Sequence, residues 1–287
     1  MTRPHLLLML MINLLWGLNF VAVKWTLADF PPLLSALGRF LLVFLICLPW
    51  LKPRPGRMRP LLAVAGLGTL HFTLMFIALG LAESASAMAI IGQMGVPFAT
   101  VMAVLFLGER IGWRRTLGIA MAFAGVVIIK YEPGGAAAAP VLAMLGSSLV
   151  YAVATIGMRR LAGVKPLELQ AWTGAVSLIP LAALSLALEG DPRPYLASAG
   201  LYAWVGVVYS AVASSVIAHA ANFYLLQRYP VTIVAPFTLL VPLIAVAAGV
   251  IILGDVLSWG LVVGGLLSLS GVAVITLRAL ARARAQP

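Results

Sequence analysis

The sequence predicts an all-α polytopic membrane protein, with ten transmembrane helices in two five-helix inverted-topology repeats around a central cavity. Three observations lead there. Of 287 residues, 63% are hydrophobic and only 9% are charged, far from the balance of a soluble domain. Charges and prolines divide the chain into ten apolar stretches. One pattern also occurs twice: Val96-Pro97 … Gly108-Glu109 … Trp113 … Gly118 … Gly125 returns as Val241-Pro242 … Gly254-Asp255 … Trp259 … Gly264 … Gly271. From the acid onward the spacings are four, five and seven in both copies, and between Pro and acid they differ by one. A repeat at this scale sets the architecture before any local feature does.

A spanning helix needs about 20 mostly apolar residues. The stretch 5–26 qualifies as a retained first helix rather than a signal peptide, because 4–23 carries no charge and no small-residue cleavage site follows. The second, 33–51, is apolar except for Arg39 within it. The third, 60–82, lies between Arg59 and Glu83, and the fourth, 84–107, runs to Gly108-Glu109. The fifth, 113–131, is short between Arg115 and Lys130. The sixth, 138–159, follows a Gly/Ala-rich linker and ends on Arg159-Arg160. The last four are 167–188, 199–227, 231–253 and 258–278, punctuated by Lys165, Glu189, Arg228, Pro230, Asp255 and Arg278. The longest linkers, 52–59, 132–137 and 189–197, leave no room for a soluble domain. The halves are therefore 1–135 and 136–287. The lone cysteine, Cys47, lies in an apolar run and reads as a packing residue.

Lys and Arg set the orientation. Fifteen of the nineteen fall at one set of helix ends, from Arg3 through Arg54, Arg115, Arg160 and Arg228 to Arg284; Lys24, Arg39, Lys130 and Arg193 fall toward the other. Both termini are thus expected in the cytoplasm, with the protein multi-pass in the cytoplasmic (inner) membrane. The net charge of +11 becomes a topology signal and an attraction to anionic lipid, not a nucleic-acid footprint. An odd number of spans per half inverts the second half, so Glu109 and Asp255 face opposite sides. The first helices of the halves also match loosely, Leu15-Trp16-Gly17 … Val23-Lys24 against Val150-Tyr151-Ala152 … Met158-Arg159. This is the plan of secondary transporters, which bind solute between related halves.

Trp16-Gly17-x-Asn19-Phe20-x-x-x-Lys24, then Arg39-Phe40, then Pro97 … Leu107-Gly108-Glu109-Arg110, within a ten-helix repeat, resemble the drug/metabolite transporter superfamily, EamA type. Within it the chain looks most like YddG-type exporters of aromatic and other apolar amino acids. The resemblance implies a basket in which helices 1, 3, 4, 6, 8 and 9 line a central cavity and helices 5 and 10 lie outside. The second half departs from the pattern with Asp255-Val256 in place of Glu109-Arg110, which speaks against a shared coupling role for the two acids.

Polar side chains at membrane depth need a partner or a cavity. His71 and His219 lie 12 and 11 residues before Glu83 and Pro230, so they are near-equivalents under the repeat. Ser215, His219 and Asn222 share one face at i, i+4 and i+7, and Gly68, His71 and Met75 another. These groups read either as a midplane binding site or as interhelical hydrogen bonds. Ile90, Gln93 and Pro97, and Ala235, Thr238 and Pro242, form a second pair of faces. Each proline frees a carbonyl near Gln93 or Thr238 and either kinks a gating helix or shapes packing. Both prolines are expected to face the cavity. Aromatic and amide groups form a third set: Asn13, Trp16, Asn19 and Phe20 in helix 1, Tyr151 and Thr155 in helix 6, Trp172 and Tyr209. They suit an apolar ligand wall, or equally core and interface positions. Lys24 and Arg39 are expected toward the external end, drawing a substrate carboxylate or pairing with Asp29 or Glu83. Glu109 and Asp255 read as helix anchors. Gly260, Gly264 and Gly271 give helix 10 a face for close packing, inside the bundle or across a dimer seam.

All eight acids lie at or near span ends, so a carboxylate proton relay or sodium site is not expected. No P-loop, HExxH or intramembrane acid pair occurs, and no cofactor, metal site or enzymatic activity is expected. The leading reading is a monomeric carrier that exports or exchanges small organic solutes by alternating access, with membrane lipid and a small-molecule substrate as partners. Aromatic and apolar amino acids are the expected substrates. The alternatives are a same-fold carrier of nucleotide sugars, purines or drugs, and a membrane enzyme or scaffold.

Overall fold

A computed structural model describes residues 2–107, 111–131, 137–161, 163–229 and 234–285. Glu109, Arg110, Glu132 and Pro230 lie outside the described residues. All ten expected helices are present: α1 (Arg3–Asp29), α2 (Pro32–Cys47), α3 (Met58–Leu81), α4 (Ala85–Gly92, then Gly95–Leu107), α5 (Trp113–Tyr131), α6 (Ala138–Arg159), α7 (Pro166–Leu188), α8 (Leu201–Leu226), α9 (Phe237–Leu253) and α10 (Trp259–Ala285). A short helix, Arg193–Ser198, precedes α8. Eight of the ten are long and apolar enough to cross a membrane. Of the other two, α9 is shorter and α5 carries Arg114, Arg115 and Lys130. Proline opens α1, α2 and α7, where its missing N–H costs nothing.

The packing follows the repeat. α1 lies against α8 and α9, while α6 lies against α3 and α4; α2 packs on α7, and α5 on α10. Replacing each helix by its counterpart five along exchanges the first two sets and leaves the last two unchanged. The α5–α10 crossing is glycine on glycine. A Cβ at Gly125 would collide with the Gly264 carbonyl, and one at Gly271 with the Gly118 carbonyl. The helix 10 glycines thus close the bundle onto α5. Similar near-contacts set α1 against α8 through Gly206 and α2 against α7 through Gly174. In lipid, where burial of apolar surface drives little association, such backbone approach is a main source of cohesion.

Large apolar side chains cover the outside, including Leu105, Ile179, Leu201 and Ile251, each at least 70% exposed, as a lipid-facing surface requires. Inside, polar bonds fasten pairs of helices. Thr69 of α3 meets Ser177 of α7 at 2.7 Å. Arg54 grips Glu168 with Nε and Nη2 at 3.0 and 2.6 Å, tying the loop after α2 to the start of α7. Cys47 is free and buried. Replacing Gly125 with leucine is expected to lower Tm by about 5 °C or more through overpacking at the crossing. Gly66→Ala, where an added Cβ meets nothing within 4 Å, leaves Tm unchanged or slightly raised. Thermal unfolding monitored in detergent or nanodiscs checks both.

Candidate functional site

Helices α1, α3, α4, α5, α6, α8, α9 and α10 line a cavity of about 430 Å³, within the range of small-molecule sites; α5 and α10, expected outside it, contribute Arg115, Ile275 and Thr276. Its floor is ring-rich. Trp16 and His219 stand 4.7 Å apart by ring centroid, His219 and Phe72 5.2 Å, Phe72 and His71 4.6 Å, and His71 and Tyr151 4.7 Å. Four helices supply these five rings, two from each half. His71 is oriented by Ser147, whose Oγ is 2.8 Å from Nδ1 and donates 2.9 Å to the His71 carbonyl.

Local backbone irregularity places several of these groups. In α4 the helix breaks one turn before Pro97: Gln93 N–H donates to Ile90 O and Val96 N–H to Gln93 O, a tight turn that turns Gln93 into the cavity. In α9 a 3₁₀ segment, Ala235–Leu239, precedes Pro242 and carries Thr238. In α8 the stretch Ser210–His219 is π-helical, a geometry that recurs at functional sites.

Of the residues expected at a site, Trp16, Asn19, Phe20, His71, Met75, Gln93, Tyr151, Thr155, His219, Asn222 and Thr238 line the cavity. Ser215 does not. The expected face assumed i+4 spacing, but π turns place residues five apart on one side, so Ser214 takes that position. Ser215 instead accepts from Arg39 and donates to Ser210 O. Pro97 and Pro242 are buried but absent from the wall; Val96 and Val241 line it instead. Asn13 bonds Met9 O, Tyr209 bonds Leu15 O and Trp172 bonds Lys52 O, all within the framework.

Arg39 departs most from expectation. It pairs with neither Asp29 nor Glu83. It is fully buried between α2, α3 and α8, its Nε and Nη2 donating to Ser215 and Ser214 and its Cζ 4.1 Å from the Phe72 ring centroid. Phe72, Ser147, Ser148, Thr100 and Arg115 are wall residues that sequence inspection passed over. The pair Ser147-Ser148, polar residues in mid-span, was the available signal for two of them.

Among the described residues the cavity wall reaches the helix ends on one side. From the ring floor it follows Val96, Ala99, Thr100, Arg115, Thr155, Leu226, Val234, Ile275 and Thr276 toward the Arg/Lys-rich end. No described wall residue comes from the opposite helix ends, which polar bonds tie into a seal. Lys24 Nζ donates to the carbonyls of Leu79 and Ala82 at 3.2 and 2.6 Å. Asp255 accepts from Ser86 N and Ser84 Oγ at the start of α4, Glu189 from the N–H groups of Leu33 and Leu34, and Asp29 from Gly200 N. Among the described residues no group of three or more His, Cys, Asp or Glu is placed to hold a metal, and no acid lines the cavity.

The sequence profile of the EamA-like transporter family matches residues 3–131 and 138–277. A probable amino-acid metabolite efflux pump of Salmonella typhimurium is 28% identical over 285 residues, 95% of this chain and 94% of that protein. A probable terminal-alkyne amino-acid exporter of Streptantibioticus cattleyicolor is 32% identical over 192 residues, covering 65% of this chain and 62% of that one. A crystal structure superposes over the full length of both chains with a TM-score of 0.69 at 20% identity, which establishes a shared fold.

Loss of the seal should admit reagent from the closed side. In a Cys47→Ser background with a cysteine at Phe20, Lys24→Met together with Asp255→Ala is expected to raise labelling by an impermeant maleimide from that side several-fold. Quantified labelling of oriented vesicles reads it.

Proposed function

The chain belongs to the EamA-like transporter family, and from that premise we propose that it exports or exchanges amino acids with aromatic or apolar side chains by alternating access. The observation that carries this reading is the one-ended, ring-floored cavity between the halves. A flat apolar side chain packs against Trp16, Phe72, Tyr151 and the two histidines, where each ring pair is worth about 0.5–1.5 kcal/mol beyond simple burial. Gln93, Asn19, Asn222 and Thr238 offer the amide and hydroxyl groups that a zwitterionic head needs. The relatives named for amino-acid metabolite efflux and amino-acid export favour the same class of load.

The concentration of Lys and Arg at the open end supports a cytoplasmic location for that end and both termini, by the positive-inside bias. The protein then rests in the cytoplasmic membrane with its site accessible to solute from within, the state an exporter loads from. The broken α4 and α9 are the bending elements in this scheme, since their backbone already departs from straight helix one turn before Pro97 and Pro242.

Proteoliposomes preloaded with unlabelled solute and given labelled tryptophan should accumulate label when the internal solute is an aromatic or apolar amino acid. Exchange with nucleotide sugars, purines or cationic drugs but not with amino acids would overturn the assignment. Trp16→Ala and Tyr151→Ala should each raise the half-saturating tryptophan concentration by roughly two- to ten-fold, read in the same counterflow assay.

A further inference from the structure

Arg39 is buried completely without a carboxylate partner. The ion pairs found among the described residues are Arg54–Glu168 and Arg193–Asp191, and the Arg39 Nη1 has no hydrogen-bond partner there. A lone guanidinium in the membrane interior is costly unless an anion or a water-filled cavity compensates it. The two serines that receive it differ. Ser215 Oγ accepts from Arg39 Nε at 2.9 Å and passes its own proton to Ser210 O at 3.2 Å, so both its roles are filled. Ser214 Oγ accepts from Arg39 Nη2 at 3.3 Å, and that is its one bond among the described residues. Its hydroxyl proton is left to donate, and Ser214 is the serine on the cavity wall.

We propose that Arg39 and Ser214 form a carboxylate-selecting relay: the Ser214 hydroxyl donates to a substrate carboxylate on the cavity side of the ring floor, and the guanidinium behind it strengthens that bond. Ser214 touches substrate; Arg39 is a positioning residue that acts through it. Polarisation along such a chain makes the hydroxyl a better donor to an anion than to a neutral group. The surroundings agree in sign, because among the described wall residues none is acidic and the charged one is Arg115, toward the open end. The relay deepens the export reading, on which it rests, by naming the part of the substrate that is selected: the carboxylate and not the ammonium.

Four probes separate the two groups: L-tryptophan, indole-3-propionate, tryptophan amide and tryptamine. Calorimetry on the full chain in nanodiscs is expected to show the two carboxylates binding about ten-fold or more tighter than the two compounds lacking one, in line with a hydrogen bond to a charged group. Ser214→Ala, which leaves the Arg39–Ser215 bond in place, and Arg39→Gln should each abolish that preference while leaving tryptamine affinity unchanged. Arg39→Lys should restore part of it. Equal loss for acid and amide in Ser214→Ala, or no change in their ratio, overturns the relay and leaves amino acid export standing. Failure of the wild-type protein to bind any of the four overturns both readings.

Discussion

In hydrocarbon every backbone polar group must be satisfied within the protein, and this single requirement governs both ends of the molecule. A helix start exposes N–H groups that have no partner in their own helix. At the sealed end three carboxylates supply partners for three helices not their own: Asp29 for the start of α8, Glu189 for α2 and Asp255 for α4. Lys24 does the converse, capping carbonyls near the C-terminus of α3, where a cation is favoured by the helix dipole. The seal is therefore a set of helix caps exchanged across the bundle. Opening that end means giving up several caps together, and the water that enters is what replaces them.

The same requirement explains the middle. Among the described residues most polar groups at mid-depth are either tied to a neighbour or turned to the cavity, while the hydroxyls of Ser210 and Ser268 are buried without a partner. Thr73 and Thr173 bond carbonyls of their own helix one turn back, and of the Thr69–Ser177 pair one hydroxyl donates to its own helix while the other donates across, so the α3–α7 contact gains no unsatisfied hydroxyl. His71 and Ser147 satisfy each other. Gln93, Asn222 and Thr238 line the cavity. The arrangement divides the described interior into a packed framework and a ring-walled chamber, a division that suits the part-apolar, part-charged solute proposed above.

Much of this was legible in the chain itself. Ten helices followed from charge and proline punctuation, and the doubled glycine pattern pointed to the close face of α10, because both are written in residue type and spacing. Histidine depth was readable for the same reason. Failures came where backbone geometry departs from 3.6 residues per turn or where a side chain crosses between helices. Ser215 was expected on the wall because the face was drawn with α-helical spacing, and the π-helical stretch of α8 rotates it away by one residue. Arg39 was expected near the outer end because position along α2 sets its depth only coarsely. Its long side chain reaches α8, and no spacing within α2 encodes that partner. The prolines were placed in the wall on the premise that a kink points at what it opens. The structure puts the opened turn, not the proline, against the cavity.

Under the alternating access proposed above, the repeat gives these details a consequence. Two halves of like fold and opposite sense can exchange conformations, and the exchange turns a molecule open at one end into one open at the other. The exchange must be led by elements that differ between the halves in the present state. The backbone shows such a difference at α3 and α8, counterparts five helices apart. α3 is regular throughout, whereas α8 is π-helical from Ser210 to His219. A π-helical stretch inserts extra residues per turn and can be absorbed into regular helix by a local shift in hydrogen bonding. In α8 that stretch carries Ser214, Ser215 and His219, the groups that join Arg39 to the cavity floor. A change in its winding would move Ser214 relative to the wall and Arg39 relative to its hydroxyl partners at once. In the proposed relay, substrate contact and helix geometry meet at one place, and ligand binding there can bias the exchange only to the extent that it favours one winding over the other.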